Sequence, residues 1–155
     1  MTKKYRMINF YFISITFINF CIAFAFYVST MMAVGFSIDI LNESASNAGL
    51  ASGIFIIGTL FARFSIGRSL DKINLKTSLL ISLIAYFLVG LLYFVCHDFL
   101  RLIIVRLLHG FSYGVCSSIC GAIVARMIPS FRRGEGIGYY ALSAVLASEI
   151  GRAHV

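Results

Sequence analysis

Apolar residues in this chain come in long unbroken runs separated by short charged stretches. The first run covers about residues 8–34, the second 48–66, the third 77–95 and the fourth 99–128. A fifth begins near residue 136 and stops around residue 148. Alternation typical of strands is missing, and the runs lack the polar face of a surface helix. Their length of roughly 20 residues matches a helix crossing the ~30 Å hydrocarbon layer. The pattern predicts an all-α, polytopic membrane helix bundle with four complete spans and the start of a fifth. Pro129 ends the fourth helix, because it has no amide proton and constrains the residue before it. The first run is too long and too aromatic for a cleavable leader, whose apolar stretch is about 7–15 residues.

Composition agrees. Hydrophobic residues make up 60% and charged residues 12%, with a mean hydropathy of +0.94; a soluble domain is about a quarter charged. The net charge of +7 is spread in clusters between apolar runs, which excludes a nucleic-acid partner. Basic residues collect on alternate connections: Lys3, Lys4, Arg6, Arg68, Lys72, Lys76, Arg132 and Arg133, with Arg63 and Arg126 at helix ends. The other side has only Arg101, against Asp39, Glu43 and Asp98. The excess of Lys and Arg places the N-terminus and both charged loops in the cytoplasm.

Cys21, Cys96, Cys116 and Cys120 read as packing residues; two thiols one helical turn apart make no metal site, and no metal or other cofactor is expected. Small residues at Gly49, Ala51, Ser52, Gly53 and Gly58 suggest a second helix packed closely in a bundle. In the first helix Ser14, Thr16, Ser29 and Thr30 can bond back to their own turn, whereas the amide of Asn19 needs another partner. Asn19 is a candidate cavity residue, and most aromatics of this helix face lipid or pack.

Two charged features carry the chemistry. Between runs two and three stand Gly67, Asp71 and Lys72, followed by Asn74 and Lys76. Gly67 permits close backbone approach, and Asp71 can pair with an Arg or cap a helix N-terminus. In the fourth run, Arg106-Leu-Leu-His-Gly110 continues as Phe-Ser-Tyr-Gly114. Arg106 lies about eight residues into apolar sequence, and an intramembrane Arg normally faces a cavity or a partner. It is suited to bind an anionic substrate or to lower the pKa of a nearby carboxylate; its structural alternative is an Arg bonded to backbone carbonyls. His109 can relay protons or serve as a hydrogen-bonded packing residue. Gly110, Gly114 and the small Ser117, Ser118 and Gly121 permit tight helix contact.

The loop resembles the Gly-x-x-x-Asp-Arg/Lys-x-Gly-Arg-x-Arg/Lys signature of the major facilitator superfamily, and the Arg106–Gly114 run resembles that family's Arg-x-x-x-Gly-x-x-x-Gly pattern. Asn74 stands where the signature has its second Gly; Asn tolerates positive φ best among non-glycine residues. The third feature, Pro129-Ser-Phe-Arg132-Arg133-Gly-Glu135, resembles the loop after the fourth helix in bacterial exporters of drugs or of small opine-type metallophores. The resemblance implies transport by alternating access between two six-helix halves, with Gly67, Asp71, Lys72 and Lys76 as a conformational latch. It implies proton-coupled efflux of a small molecule across a bacterial plasma membrane, with lipid bilayer, substrate and protons as partners. Residues 1–148 are expected to be part of the N-terminal half, and 149–155 a non-native tail. Uptake of a sugar or organic acid, or a non-transporting membrane protein, are the competing readings. An enzyme is not: there is no Ser/His/Asp set, and Gly134-Glu-Gly-Ile-Gly138 lacks the strand and spacing of a nucleotide motif.

Overall fold

Helices begin where the sequence supplies a side-chain acceptor for the first free amides. In this computed structural model, which describes residues 9–153, Asn9 caps α1 (Phe10–Gly35) by accepting from the Phe12 amide at 2.8 Å. Ser44 caps α2 (Ala45–Gly67), Asn74 caps α3 (Leu75–Leu91), and Asp98 caps α4 (Phe99–Met127). A short 3-10 turn, Ser130–Arg132, then leads into α5 (Arg133–Ala153). The basic residues Lys3, Lys4 and Arg6, and the last two residues of the expected tail, lie outside the described part of the chain.

Four stretches are long and apolar enough to cross a membrane: Phe10–Ile40, Ala45–Gly67, Leu75–Val95 and Phe99–Met127. Their outward faces carry large apolar side chains such as Phe17, Leu60, Phe64 and Phe87, all mostly exposed, as a bundle solvated by lipid requires. The α5 helix has 21 residues but a more polar sequence.

Several boundaries differ from the sequence reading. The break expected between the first run, ending near residue 34, and the second, starting near 48, is shorter, because the chain continues past α1 as wider π turns over Phe36–Ile40. The Ser37 hydroxyl, fully buried, donates back to the Ala33 carbonyl at 2.7 Å and removes the need for water there. Asn42 then takes a left-handed φ of 53° to turn the chain, a conformation Asn tolerates. Asn74 does not: its φ is −75°, and it replaces the expected left-handed turn with a cap, its side chain accepting from the Lys76 and Thr77 amides. The fifth helix starts three residues before Gly136 and runs five past Ser148, to Ala153.

Packing is organised as two tight pairs. The α2 helix lies chiefly on α4, and α5 chiefly on α1, while α3 covers the far side of α4. At the α2–α4 seam a Cβ on Gly58 would strike the Leu107 carbonyl, and one on Gly110 the Phe55 carbonyl. One on Gly114 would come within 2.7 Å of the Ala62 Cβ and the Thr59 carbonyl. Thr59 fills the remaining space and donates its hydroxyl to the Phe55 or Gly110 carbonyl, each 3.0 Å away. Gly67, Gly49, Gly53 and Gly121 are different: a Cβ on any of them meets nothing within 4 Å. The expectation that Gly67 serves backbone approach is therefore corrected, since Gly67 ends α2 beyond the reach of α4. Cys96, Cys116 and Cys120 are buried, but Cys21 is exposed on the helix surface instead of packed.

Candidate functional site

Arg106 is wholly buried, the largest side chain in the bundle to be so. A charge in hydrocarbon is costly unless its donors are occupied, and here three other helical segments occupy them. Nε donates to the Ala51 carbonyl of α2 at 2.9 Å, and Nη2 to the Thr30 hydroxyl of α1 at 3.0 Å. Nη1 donates to the Tyr93 hydroxyl, just past α3, at a longer 3.4 Å. The guanidinium also lies 4.7 Å from the centre of the Phe55 ring, a cation–π contact that desolvation strengthens. Thr30, expected to bond back to its own helix, is thus used as an acceptor for Arg106.

The network continues to His109, whose Nδ1 is 3.2 Å from the Tyr93 hydroxyl. Because Arg106 can only donate, the Tyr93 oxygen accepts from it and its proton is free for His109. Nδ1 is then an acceptor, and a neutral His109 keeps its proton on Nε2, beside Gly90 of α3. Aromatic rings close the imidazole in. Tyr86 stacks on it at 4.3 Å, while Phe55 and Tyr93 meet it edge-on. Tyr86 in turn anchors α3 to α1 by donating to the Ile22 carbonyl.

Asn19 lies elsewhere, on the α1–α5 face. Its side chain is buried, donating to the Ser143 hydroxyl at 2.9 Å and accepting from the Tyr140 hydroxyl at 2.8 Å. The partner its amide needs is thus α5. Thr16, one turn earlier, has the one buried side-chain polar atom without a partner among the described residues.

At the basic end, Arg126 near the close of α4 bridges to the loop after α2, donating to the Leu70 carbonyl at 2.8 Å and to Asp71 at 3.0 Å. Asp71 itself is 95% exposed. Lys72 and Lys76 are exposed, and neither makes an ion pair among the described residues. Arg132 and Glu135 form a two-pronged ion pair at 2.8 and 2.9 Å, which starts α5, and Arg133 points away, exposed. The structure thus gathers Arg106 with His109, and Asp71 with the end of α4, but keeps Asn19 and the Arg132–Glu135 loop apart from both.

Sequence reasoning gave Thr30 only a bond to its own turn and passed over Tyr93, Tyr140 and Ser143, the other partners that complete these networks. A hydroxyl in an apolar run was the available signal, but three runs carry several, and only the fold selects which. Between α1, α3 and α4, beside Tyr93, lies a cavity of about 390 Å³ lined mainly by apolar side chains including Met32, Phe36, Phe94 and Leu102.

No curated protein and no solved structure matches the chain. The family model described as Major Facilitator Superfamily matches residues 15–153, a stretch that takes in all of the spans but the start of the first, both buried networks and the Asp71 loop. On that match and on the helix bundle it covers, the chain belongs to the Major Facilitator Superfamily, whose members move solutes across membranes.

Proposed function

We propose that this bundle works in the efflux of a small molecule by alternating access, driven by protons moving the other way. The observation that carries the reading is the buried chain of polar groups Thr30, Arg106, Tyr93 and His109 across three apolar segments. Such a chain is expensive in a membrane and is retained where it does work. Among the described residues of α1–α4, His109 is the one buried histidine, the side-chain type best suited to relay protons, and it is assigned here as the proton-carrying group. Arg106, with its fork committed to Ala51, Thr30 and Tyr93, acts as the positioning residue that fixes Tyr93 against it. In this reading the basic end is cytoplasmic, as the excess of Lys and Arg on connections at one end requires. There Asp71 and Arg126, with Lys72 and Lys76 close by, hold the loop to α4 in one conformation and release it in the other. The protein then resides in a bacterial plasma membrane.

Proteoliposomes bearing the full-length protein, given a pH gradient and a panel of radiolabelled organic anions including phthalate, test this directly. Antiport accumulates the substrate in an acidic lumen, whereas proton-coupled uptake accumulates it in an alkaline one. His109→Leu should abolish the gradient-driven component while leaving exchange at equal pH. Retained acid-side accumulation in that variant would remove His109 from the mechanism.

A further inference from the structure

The cavity beside Tyr93 sits at the end of the bundle away from the charged loops, where α1 and α3 draw apart. Those two helices are not among the pairs that pack closely; the Tyr86 bond to the Ile22 carbonyl ties them. Beyond that tie a wedge of about 390 Å³ opens between them, floored by Leu102 of α4. Its volume falls in the ~300–1,000 Å³ range of small-molecule sites. The rim carries Met32 and Phe94, 68% and 83% exposed, on the apolar surface that faces lipid. A molecule dissolved in the bilayer therefore reaches the cavity sideways.

One wall of this cavity is thin. Gly90 lines it, and a Cβ on Gly90 would stand 3.8 Å from His109 Nε2. A side chain there would screen the imidazole edge, and glycine leaves it open. With Nδ1 accepting from Tyr93, Nε2 carries the proton, and among the described residues nothing accepts it. Nor is Nε2 sealed in, because the Thr16 hydroxyl is the one enclosed side-chain polar atom without a partner among those residues. The other polar groups at the cavity are spent. Ser29 donates to the Phe26 carbonyl, Cys96 to the Leu92 carbonyl, and Tyr93 to His109. Arg106 lies wholly buried behind Tyr93, so its charge presents no surface to the lining. What remains is an apolar wedge with a single N–H donor at its inner end.

We infer that this wedge binds an uncharged, bilayer-soluble molecule with an apolar body and one carbonyl or ether oxygen, which accepts a hydrogen bond from His109 Nε2. An anion does not suit it, because the apolar lining offers no counter-charge. Water alone is a poor occupant, since it needs two to four polar partners. Binding stands on the cavity by itself, and only its consequence rests on the transporter reading above. A ligand held on Nε2 occupies the edge through which His109 exchanges its proton with the cavity, and so slows proton-driven transport.

The probe is tritiated benzophenone, an uncharged diaryl ketone, photolysed with the full-length protein in phosphatidylcholine nanodiscs. Saturable labelling is expected, with the adduct on Met32, Phe94 or Leu102 by peptide mass spectrometry. Diphenylmethane has the same body without the oxygen. It should compete about fivefold more weakly than unlabelled benzophenone, as for one hydrogen bond. His109→Leu removes the donor and should bring the two competitors level. Gly90→Ala, a change that favours the helix, puts a methyl group before Nε2 and should narrow the difference in the same way. Gly121→Ala, whose methyl group meets open space, should leave the fivefold difference intact. Label that never saturates, or equal competition by both compounds in the unaltered protein, overturns the site. So does an undiminished preference for the ketone in His109→Leu. Benzophenone that binds as described but leaves gradient-driven transport intact removes His109 from proton transfer and leaves the site standing. Loss of transport in His109→Leu, with no saturable label on the unaltered protein, retires the site alone.

Discussion

The guanidinium of Arg106 rests against the ring of Phe55, 4.7 Å from its centre, so that a charge on α4 and an aromatic on α2 are buried by each other. The same Phe55 offers its backbone carbonyl to Thr59 beside Gly110, which couples the charge to the closest helix contact in the bundle. A lysine in place of Arg106 is not conservative in this setting. Its single ammonium cannot reach Ala51, Thr30 and Tyr93 together or stack flat on a ring. Arg106→Lys is expected to destabilise the protein by about 2 kcal/mol or more, since hydrogen bonds to charged groups contribute about 1.5–3 kcal/mol. Reversible unfolding in mixed micelles would measure it, and wild-type stability in that variant would show that the fork contributes little.

Tyr93 joins Arg106 to His109, and the phenol oxygen is its only polar atom. Tyr93→Phe keeps the edge-on ring contact with His109 and removes both hydrogen bonds. A stability loss of about 1 kcal/mol is expected, given about 0.6–1.7 kcal/mol per interhelical hydrogen bond in membranes. Proton-driven transport should fall much further than stability. A double-mutant cycle of Tyr93→Phe with His109→Leu reads the connection, because the second substitution should add almost nothing to the transport defect of the first.

How far these networks were legible depends on whether the cause is local. Helix ends were close to where Asp98 and Pro129 put them, because a cap or a missing amide acts within one turn. The division into apolar runs was legible for the same reason, as each run alone meets the length of the membrane. Which helices pair was not, and the roles of many residues follow from that. Gly58 and Gly67 are the same residue type in the same helix, but Gly58 faces Leu107 across the seam and Gly67 faces nothing. Arg106 was visible as a costly charge, but Ala51, fifty-five positions earlier, offers a backbone carbonyl with no sequence signature. Asn74 misled for a local reason, since the Asn that tolerates a left-handed turn is equally a good helix cap.

Asp71 is exposed, and its pair with Arg126 sits in water or among headgroups, where such bonds are screened. Asp71→Asn should therefore leave the unfolding midpoint unchanged while altering the transport rate, if the pair stabilises one conformation of the cycle. Measured together, a large fall in stability would make the contact structural, and an unchanged rate would remove the loop from the latch.

Cys96 follows a 3-10 turn, Leu92–Val95, that continues α3, and it is buried. Burial, then the neighbouring Asp98 carboxylate, push its thiol up from the ordinary range, with Arg101 acting against them. The thiolate is the reactive form, so maleimide labelling of Cys96 should remain slow at neutral pH and rise at a higher pH than for a free cysteine. Asp98→Asn keeps the cap on α4 and removes the charge, and should move that rise to lower pH. A membrane-impermeant maleimide on whole cells also reports which side of the membrane holds the loop.

The sharpest test of the architecture lies in four glycines. Gly110 and Gly114 have backbone or Cβ atoms of α2 where a methyl group would go, and at Gly110 the obstacle is the rigid carbonyl of Phe55. Neither partner can yield without parting α2 from α4, which would also pull the Ala51 carbonyl away from Arg106. Gly110→Ala is thus expected to cost at least the 1–3 kcal/mol typical of overpacking, and more as the Arg106 bonds lengthen. Gly67→Ala and Gly121→Ala put the same methyl group into open space. Both should be neutral or stabilising by up to about 1 kcal/mol through helix propensity. Stability measured for the four single variants under one condition decides the matter. A drop for Gly67→Ala equal to that for Gly110→Ala would mean that the α2–α4 seam extends to the loop, against the geometry described here.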